Sequence, residues 1–165
     1  PQLAAGAAAV SPPEGPVTLT TARTRRNERS VASRIKSLSY LDNVLARAEA
    51  RAAGAEEALV LNTAGDVACA AAANVFWIRH GEVFTPALEC GVLEGVMRGE
   101  AIAACRRLGI PVKAVAAPPG RLAGAPMFIT NSLIGVRPVA SLDGRELPGS
   151  PLIAAIAEAV RSATR

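Results

Sequence analysis

The residue best suited to chemistry in this sequence is Lys36, which closes a basic stretch and lies just ahead of an amphipathic segment. It stands between Ile35 and Ser37, two residues after Arg34. A lysine with cationic neighbours in a partly apolar setting loses its proton more readily than a solvated one. Its uncharged amine is the nucleophile that forms Schiff bases with carbonyl compounds. The alternative interpretation is an ordinary surface lysine, the commoner case for this residue type.

Other kinds of catalytic site have few residues to draw on. The single histidine, His80, precedes Gly81 in a predicted hairpin turn, which indicates a solvated side chain and removes most metal-ligand and Ser-His or Cys-His schemes. Cys69, Cys90 and Cys105 are far apart with no C-x-x-C pair, so we expect neither a disulfide framework nor a metal site, and a reducing, cytoplasmic compartment. No spacing pairs the central carboxylates for acid–base catalysis: Glu57, Asp66, Glu82, Glu89, Glu94 and Glu100.

Composition narrows the classes of partner. The chain has 165 residues, half of them apolar and 19% charged, which fits one globular domain. Aromatic residues make up only 3%, too few for the stacking platforms that bind single-stranded nucleic acid, and no apolar run is long enough to span a membrane. The net charge of +4 permits a phosphate or carboxylate ligand. We interpret the arginine-rich residues 22–36 as a solvated loop, with a site for an acidic ligand as the alternative.

Local patterns predict a mixed α/β domain over residues 17–165, preceded by a Pro- and Ala-rich linker or tail at 1–16. Apolar periodicity predicts helices at 39–53, 94–108 and 151–163, the first with Ser39 as its N-cap and with Leu41, Val44, Leu45 and Ala48 at helical spacing. Hairpin signals argue against a purely parallel sheet. The predicted strands are 16–21, 57–62, 67–69, 74–79, 82–85, 112–116, 127–131 and 136–142.

Five motifs in order carry a family resemblance: "RIKSLSYLDNVLARAEARAAGAEEALVLNTAGDV", "AANVFW", "VFTP", "GVLEGVMRG" and "ITNSLIGVRPV". Over residues 17–160 the chain resembles the fold-type IV pyridoxal-phosphate (PLP) enzymes, which include branched-chain and D-amino-acid aminotransferases and 4-amino-4-deoxychorismate lyase. Three of the motifs are most similar to the lyase branch. The resemblance implies the large cofactor-binding domain of the D-amino-acid aminotransferase-like fold, a mixed sheet or pseudo-barrel with flanking helices. It also implies that a smaller N-terminal domain is missing.

The resemblance also implies a role for each matching residue. Lys36 would hold the cofactor covalently and move protons, and Tyr40 would bind near the cofactor's ring oxygen or phosphate. Val96 and Met97 would offer backbone N–H groups to the phosphate at a helix start, where the dipole favours an anion. Ser132 would add a phosphate contact. Arg98 is interpreted as a helix-surface arginine.

One stretch departs from the family pattern, "GDVACAAAANVF" at residues 65–76. The family usually places a glutamate five residues before Asn74, where it keeps the pyridine nitrogen protonated, and this chain has Cys69 there. A thiol is a poor substitute for that carboxylate, so the ring would be a weaker electron sink. The alanines between Cys69 and Asn74 predict a tight crossing of backbone beside the flat cofactor.

These implications lead to three functional hypotheses. The first is a lyase that converts 4-amino-4-deoxychorismate to 4-aminobenzoate and pyruvate in folate biosynthesis. The second is a class IV aminotransferase acting on branched-chain or D-amino acids, and the third is a cofactor-free, non-catalytic fragment. The expected partners are a small-molecule amino substrate and a second copy of the chain in a homodimer, with weak turnover by the isolated 165 residues.

Overall fold

The computed structural model describes Gly6 and residues 15–163, so most of the tail predicted at 1–16 lies outside the described residues. Within that part, three helices are α1 (Leu41–Ala52), α2 (Val96–Arg107) and α3 (Pro151–Ala163). None of them is long and apolar enough to cross a membrane. The strands are β1 (Val17–Arg26), β2 (Glu57–Asn62), β3 (Val67–Ala70), β4 (Asn74–Arg79), β5 (Glu82–Pro86), β6 (Val112–Val115), β7 (Met127–Asn131), β8 (Gly135–Leu142) and β9 (Arg145–Glu146).

The strands form one mixed sheet in the order β3-β2-β1-β8-β7-β4-β5-β6, with β9 paired to β8. β1 runs parallel to both β2 and β8, whereas β4, β5, β7 and β8 are joined by antiparallel pairs. His80 occupies the β4–β5 turn with a positive φ and an exposed side chain, as predicted. The mixed sheet confirms the predicted fold class.

The inner face of the sheet holds the main apolar core. Leu59 and Val67, near one end of the strand order, share this cluster with Trp77 and Met127, from strands further along the sheet. Strands so far apart in the order share one cluster only because the sheet curls around it. The result is the half-open barrel expected from the sequence.

Helices α2 and α3 pack on the outer face of the sheet, over β4, β5, β7 and β8. Ile153, Ile156 and Val160 of α3 pack with Phe76 and Phe128, whose rings stack at 4.6 Å between centroids. Burying such aliphatic and aromatic side chains stabilises the fold by about 1.5–3 kcal/mol each. This layer fixes the position of α2, whose first turn belongs to the candidate site.

Helix α1 packs on the sheet through alanines rather than through its larger side chains. Ala46 and Ala50 are fully buried against β2 and β3, while Leu41, Val44 and Leu45 are 68%, 55% and 48% exposed. The apolar spacing therefore predicted the helix, but the larger residues lie on its outer face. The predicted N-cap at Ser39 is wrong, because Tyr40 occupies that position without a side-chain cap.

Strand β1 extends to Arg26, five residues beyond its predicted end. Residues 22–26 are therefore strand, and the prediction of a solvated loop over 22–36 is wrong for them. Glu49 of α1 accepts hydrogen bonds from Arg23 N at 2.5 Å and Thr24 Oγ1 at 2.6 Å. The Thr24 hydroxyl, with the backbone N–H groups, lowers the pKa of the Glu49 carboxyl. This carboxylate anchors α1 to the strand that leads into the basic segment.

We expect Glu49→Gln to lower the free energy of unfolding at neutral pH by about 1 kcal/mol, a small value because the carboxylate is solvent-accessible. A folded-state pKa below the unfolded value means that the stabilisation is full above the unfolded pKa, about 4.3 for glutamate, and is lost as pH falls through the folded pKa. Urea denaturation from neutral to acidic pH measures the difference from wild type. The exposed Glu146→Gln of β9 serves as the control and should leave the pH dependence unchanged; equal pH profiles for both variants would contradict the anchor.

Candidate functional site

The site is built around the bend that joins β3 to β4, Ala71–Ala73, which we call the alanine loop. Tyr40 Oη donates to Ala71 O at 2.9 Å, and Asn43 Nδ2 donates to the same oxygen at 2.6 Å. Asn131 Nδ2 donates to Ala72 O at 2.9 Å. Side chains from the start of α1 and the end of β7 therefore converge on two consecutive carbonyls.

A buried carboxylate lies next to the alanine loop. Glu57, 6% exposed at the start of β2, accepts from Ala58 N at 2.8 Å, and Ala71 N of the loop donates to Ala58 O at 3.0 Å. Burial raises the pKa of the Glu57 carboxyl, while the nearby backbone N–H groups act in the opposite direction. Sequence reasoning found no partner for Glu57, and the available signal was an acid opening a strand whose next four residues are apolar.

Asn74 connects the alanine loop to the start of α2. Its Nδ2 donates to Leu93 O at 2.9 Å. A Cβ added at Gly95, the N-cap of α2, would lie 2.3 Å from Asn74 Oδ1. Glycine at this position therefore leaves room for the Asn74 side chain. With no side chain capping the helix, the N–H groups of Val96 and Met97 at its first two positions have no acceptor within the helix. Such a helix start favours an anion.

Ser132 is exposed in the turn between β7 and β8. The turn is closed by Asn131 Oδ1, which accepts from Leu133 N at 2.9 Å and from Ile134 N at 3.0 Å. Beside it in β7, Thr130 pairs with Asn74 across the sheet, and its hydroxyl is buried without a hydrogen-bond partner in the described chain. The turn therefore lies next to the strand that carries Asn74.

Cys69 lies on the face of the sheet that α1 covers, 6% exposed among alanines that include Ala22 and Ala46. Burial raises the pKa of its thiol to about 11, with Arg26 acting in the opposite direction. Burial, followed by the nearby Glu57 carboxylate, also raises the pKa of Tyr40. Both groups are therefore neutral at physiological pH.

Lys36 lies in an exposed segment that leads to α1. The partly apolar setting predicted for it is wrong in this chain, because Ile35 is 53% exposed and Leu38 is fully exposed. Its Nζ makes no hydrogen bond or ion pair with the described part of the chain. The segment is anchored upstream, where the Arg26 guanidinium donates to Ser33 O and to Gly91 O.

Two further features complete the site. Arg98 is 5% exposed and donates to Pro86 O at 3.0 Å, so the prediction of a helix-surface arginine is wrong. A cavity of about 250 Å³ lies between the end of β1 and the start of α1, with Arg26, Ser39 and Asn43 among its lining residues. Sequence reasoning did not find this cavity, because it forms only where residues 24–43 fold back on themselves against Val60.

The residues present suit the phosphate end of PLP. An uncapped helix start, an exposed serine turn and the unpartnered Thr130 hydroxyl are the donors that a phosphate requires. Lys36 is accessible to an aldehyde. Cys69, which the family resemblance would place beside the ring nitrogen, is different, because its neutral thiol would offer no charge to a protonated pyridine.

Comparison with known proteins gives a family-model match and several similar relatives. The family model for amino-transferase class IV matches residues 2–142. A probable branched-chain-amino-acid aminotransferase of Synechocystis is 39% identical over 88 residues, which cover 53% of this chain and 29% of the relative.

Two solved structures share the fold. A putative 4-amino-4-deoxychorismate lyase from Legionella pneumophila has a TM-score of 0.89 at 31% identity, covering 93% of this chain and 58% of that one. The PLP-form of a branched-chain aminotransferase from Thermobaculum terrenum has a TM-score of 0.85 at 30% identity, covering 90% and 50%. The chain thus spans about a third to just over half the length of these proteins.

Gly95→Ala tests the contact between α2 and Asn74. Gly95 has φ −70° and ψ 142°, which any residue can adopt, so the cost of the substitution is steric. We expect a loss of about 2 kcal/mol in unfolding free energy, and Asn74→Ala in the same chain should recover part of it. Gly99→Ala is the control, since a Cβ there meets no atom within 4 Å, and should stabilise α2 by about 1 kcal/mol. Denaturant unfolding of wild type, Gly95→Ala, Asn74→Ala, the double variant and Gly99→Ala decides, and additive effects of the Gly95 and Asn74 substitutions would contradict the proposed contact.

Proposed function

This chain belongs to the amino-transferase class IV family, and from that membership we propose that it is the cofactor-binding part of a PLP-dependent lyase. The proposed reaction converts 4-amino-4-deoxychorismate to 4-aminobenzoate and pyruvate. The likeness to the Legionella lyase structure supports it. So does the chemistry of Cys69, set out below.

Each residue of the site has a role in this proposal. When bound, PLP supplies an aldehyde that binds amines and a ring that accepts electrons. Lys36 Nζ would hold the cofactor and, as a free amine, would take a proton from the substrate ring. The N–H groups of Val96 and Met97, with Ser132, would bind the phosphate. Tyr40 is fixed to Ala71 O, and Asn74 is fixed to Leu93 O. In the proposal, these two bonds would set the distance between Lys36 and the phosphate-binding start of α2.

The observation that carries the choice of lyase is the neutral thiol at Cys69. Its pKa of about 11 leaves almost no thiolate at neutral pH, so it cannot hold a proton on the pyridine nitrogen. A weaker electron sink slows proton transfers that depend on the ring. A lyase tolerates that loss better than an aminotransferase, because formation of an aromatic product contributes driving force.

A class IV aminotransferase is the second candidate, supported by the names of the Synechocystis relative and the Thermobaculum structure. It would use the same Lys36 to move a proton between two carbons. The exposure of Lys36 in this chain favours the third candidate, a domain without catalytic activity. A homodimer, a small-molecule amino substrate and a cytoplasmic location remain proposals attached to the first two.

Titration with PLP tests Lys36 directly. After unbound cofactor is removed, we expect wild type to stay yellow because the cofactor is bound covalently. Lys36→Ala should be colourless, because the sequence contains only two lysines. The matched control is Lys113→Ala. Lys113 Nζ is held by Glu82 at 2.8 Å on β6, so its loss should leave the visible absorbance unchanged. A wild-type protein that stays colourless would remove both enzyme proposals and leave the non-catalytic domain.

Cys69→Glu separates the two enzyme proposals. Restoring a carboxylate at this position is expected to raise transaminase turnover while leaving pyruvate release unchanged, because only the first depends strongly on a protonated ring nitrogen. Cys69→Ala, which keeps the site small and neutral, should change neither rate. Thermal unfolding of each variant checks that the new carboxylate leaves the domain folded. Faster pyruvate release without a gain in transamination would contradict the proposal that the neutral thiol of Cys69 favours the lyase reaction.

A further inference from the structure

Asn131 uses both ends of its side-chain amide to connect two parts of the site. Its Oδ1 accepts from Leu133 N and Ile134 N and so closes the turn that carries Ser132. Its Nδ2 donates to Ala72 O in the alanine loop, 59 residues earlier in the chain. The three distances, 2.9, 3.0 and 2.9 Å, are those of well-formed hydrogen bonds.

We propose that Asn131 is a positioning residue, which holds the turn carrying Ser132 at a fixed distance from the alanine loop. This inference rests on the proposed function, in which Ser132 binds the cofactor's phosphate. Asn131 itself touches neither cofactor nor substrate in the proposal. It acts by keeping the phosphate contact in register with the residues next to the ring.

The chemistry of the position requires an amide. Two N–H groups of the turn need an acceptor, and one loop carbonyl needs a donor. The amide of Asn131 offers its oxygen for the first and its NH₂ group for the second. Aspartate would still close the turn but would place a carboxylate against Ala72 O, where it has no proton to donate. Alanine would lose both functions. The two substitutions therefore separate closing the turn from attaching it to the loop.

The rest of the alanine loop stays attached when Asn131 changes. Ala71 O is held by Tyr40 and Asn43, and Ala71 N donates to Ala58 O at 3.0 Å. The Ala72 carbonyl has only Asn131 as its side-chain donor in the described chain. Removing this bond is therefore expected to release the turn from the loop without unfolding either one.

The first experiment measures amide hydrogen exchange in the cofactor-free chain. In Asn131→Asp we expect exchange at Ala70, whose N–H closes the alanine loop on Ala73 O at 2.8 Å, to quicken by about tenfold, while Leu133 and Ile134 stay protected. In Asn131→Ala all three should quicken. Asn27→Asp is the matched control, since Asn27 Oδ1 accepts from Arg29 N at 2.9 Å in a similar turn and donates no bond to the alanine loop. Wild-type exchange at Ala70 in Asn131→Asp would overturn the proposal.

The second experiment compares the affinities of PLP and pyridoxal, which lacks the phosphate. Asn131→Asp is expected to weaken PLP binding by about tenfold and to leave pyridoxal binding unchanged, so the ratio of the two affinities falls. Equal weakening of both ligands, or an unchanged ratio despite faster exchange, would show a purely structural role and overturn the inference. Failure of wild type to bind either ligand would instead count against the proposed function, and the exchange experiment would still test the connection.

Discussion

The site depends on two consecutive backbone carbonyls, those of Ala71 and Ala72, whose hydrogen bonds come from distant side chains. A bend between two strands leaves its peptide groups without sheet partners, and groups that water cannot reach need other partners. Here Tyr40, Asn43 and Asn131 donate to the carbonyls, while Ala71 N donates to Ala58 O of β2. The positions of α1, the β7–β8 turn and β2 are therefore all set relative to one three-residue loop.

Alanine suits this loop for a steric reason. Helix α1 reaches the sheet through Ala46 and Ala50, and Ala71 is itself only 2% exposed, so little space separates helix, loop and sheet. A larger side chain would push α1 outward and lengthen the hydrogen bonds from Tyr40 and Asn43. A small residue has the same effect at Gly95, where the absence of a Cβ lets Asn74 approach the start of α2. Small residues thus allow side chains from separate elements to meet at one place.

Much of the fold could be predicted from the sequence, because periodicity and turn residues are local signals. The helix at Pro151–Ala163 and the strand at Glu57–Asn62 were predicted with their observed bounds. What the sequence could not give was which side of an element faces the protein, as the exposed Leu41 and the buried Arg98 show. The contacts of Asn131 and Glu57 were missed for a related reason. Their partners are distant in the chain, and no local pattern indicates that an amide or carboxylate will reach a particular carbonyl or N–H.

The charges around the site explain why the two ends of a cofactor would be treated so differently. At the end formed by α2, an uncapped helix start offers partial positive charge and free N–H groups, which favour an anion without any titrating group. At the other end, burial keeps Cys69 and Tyr40 neutral. The charges that act on the Cys69 thiol are Arg26, which is fixed by Ser33 O and Gly91 O, and Glu57, which accepts from Ala58 N. A fixed cation with no ionised acid at position 69 disfavours a proton on a nearby ring nitrogen. This distribution of charge would favour a protein in which phosphate binding supplies most of the affinity for the cofactor. It would also favour reactions that are driven by the stability of the product rather than by electron withdrawal into the ring.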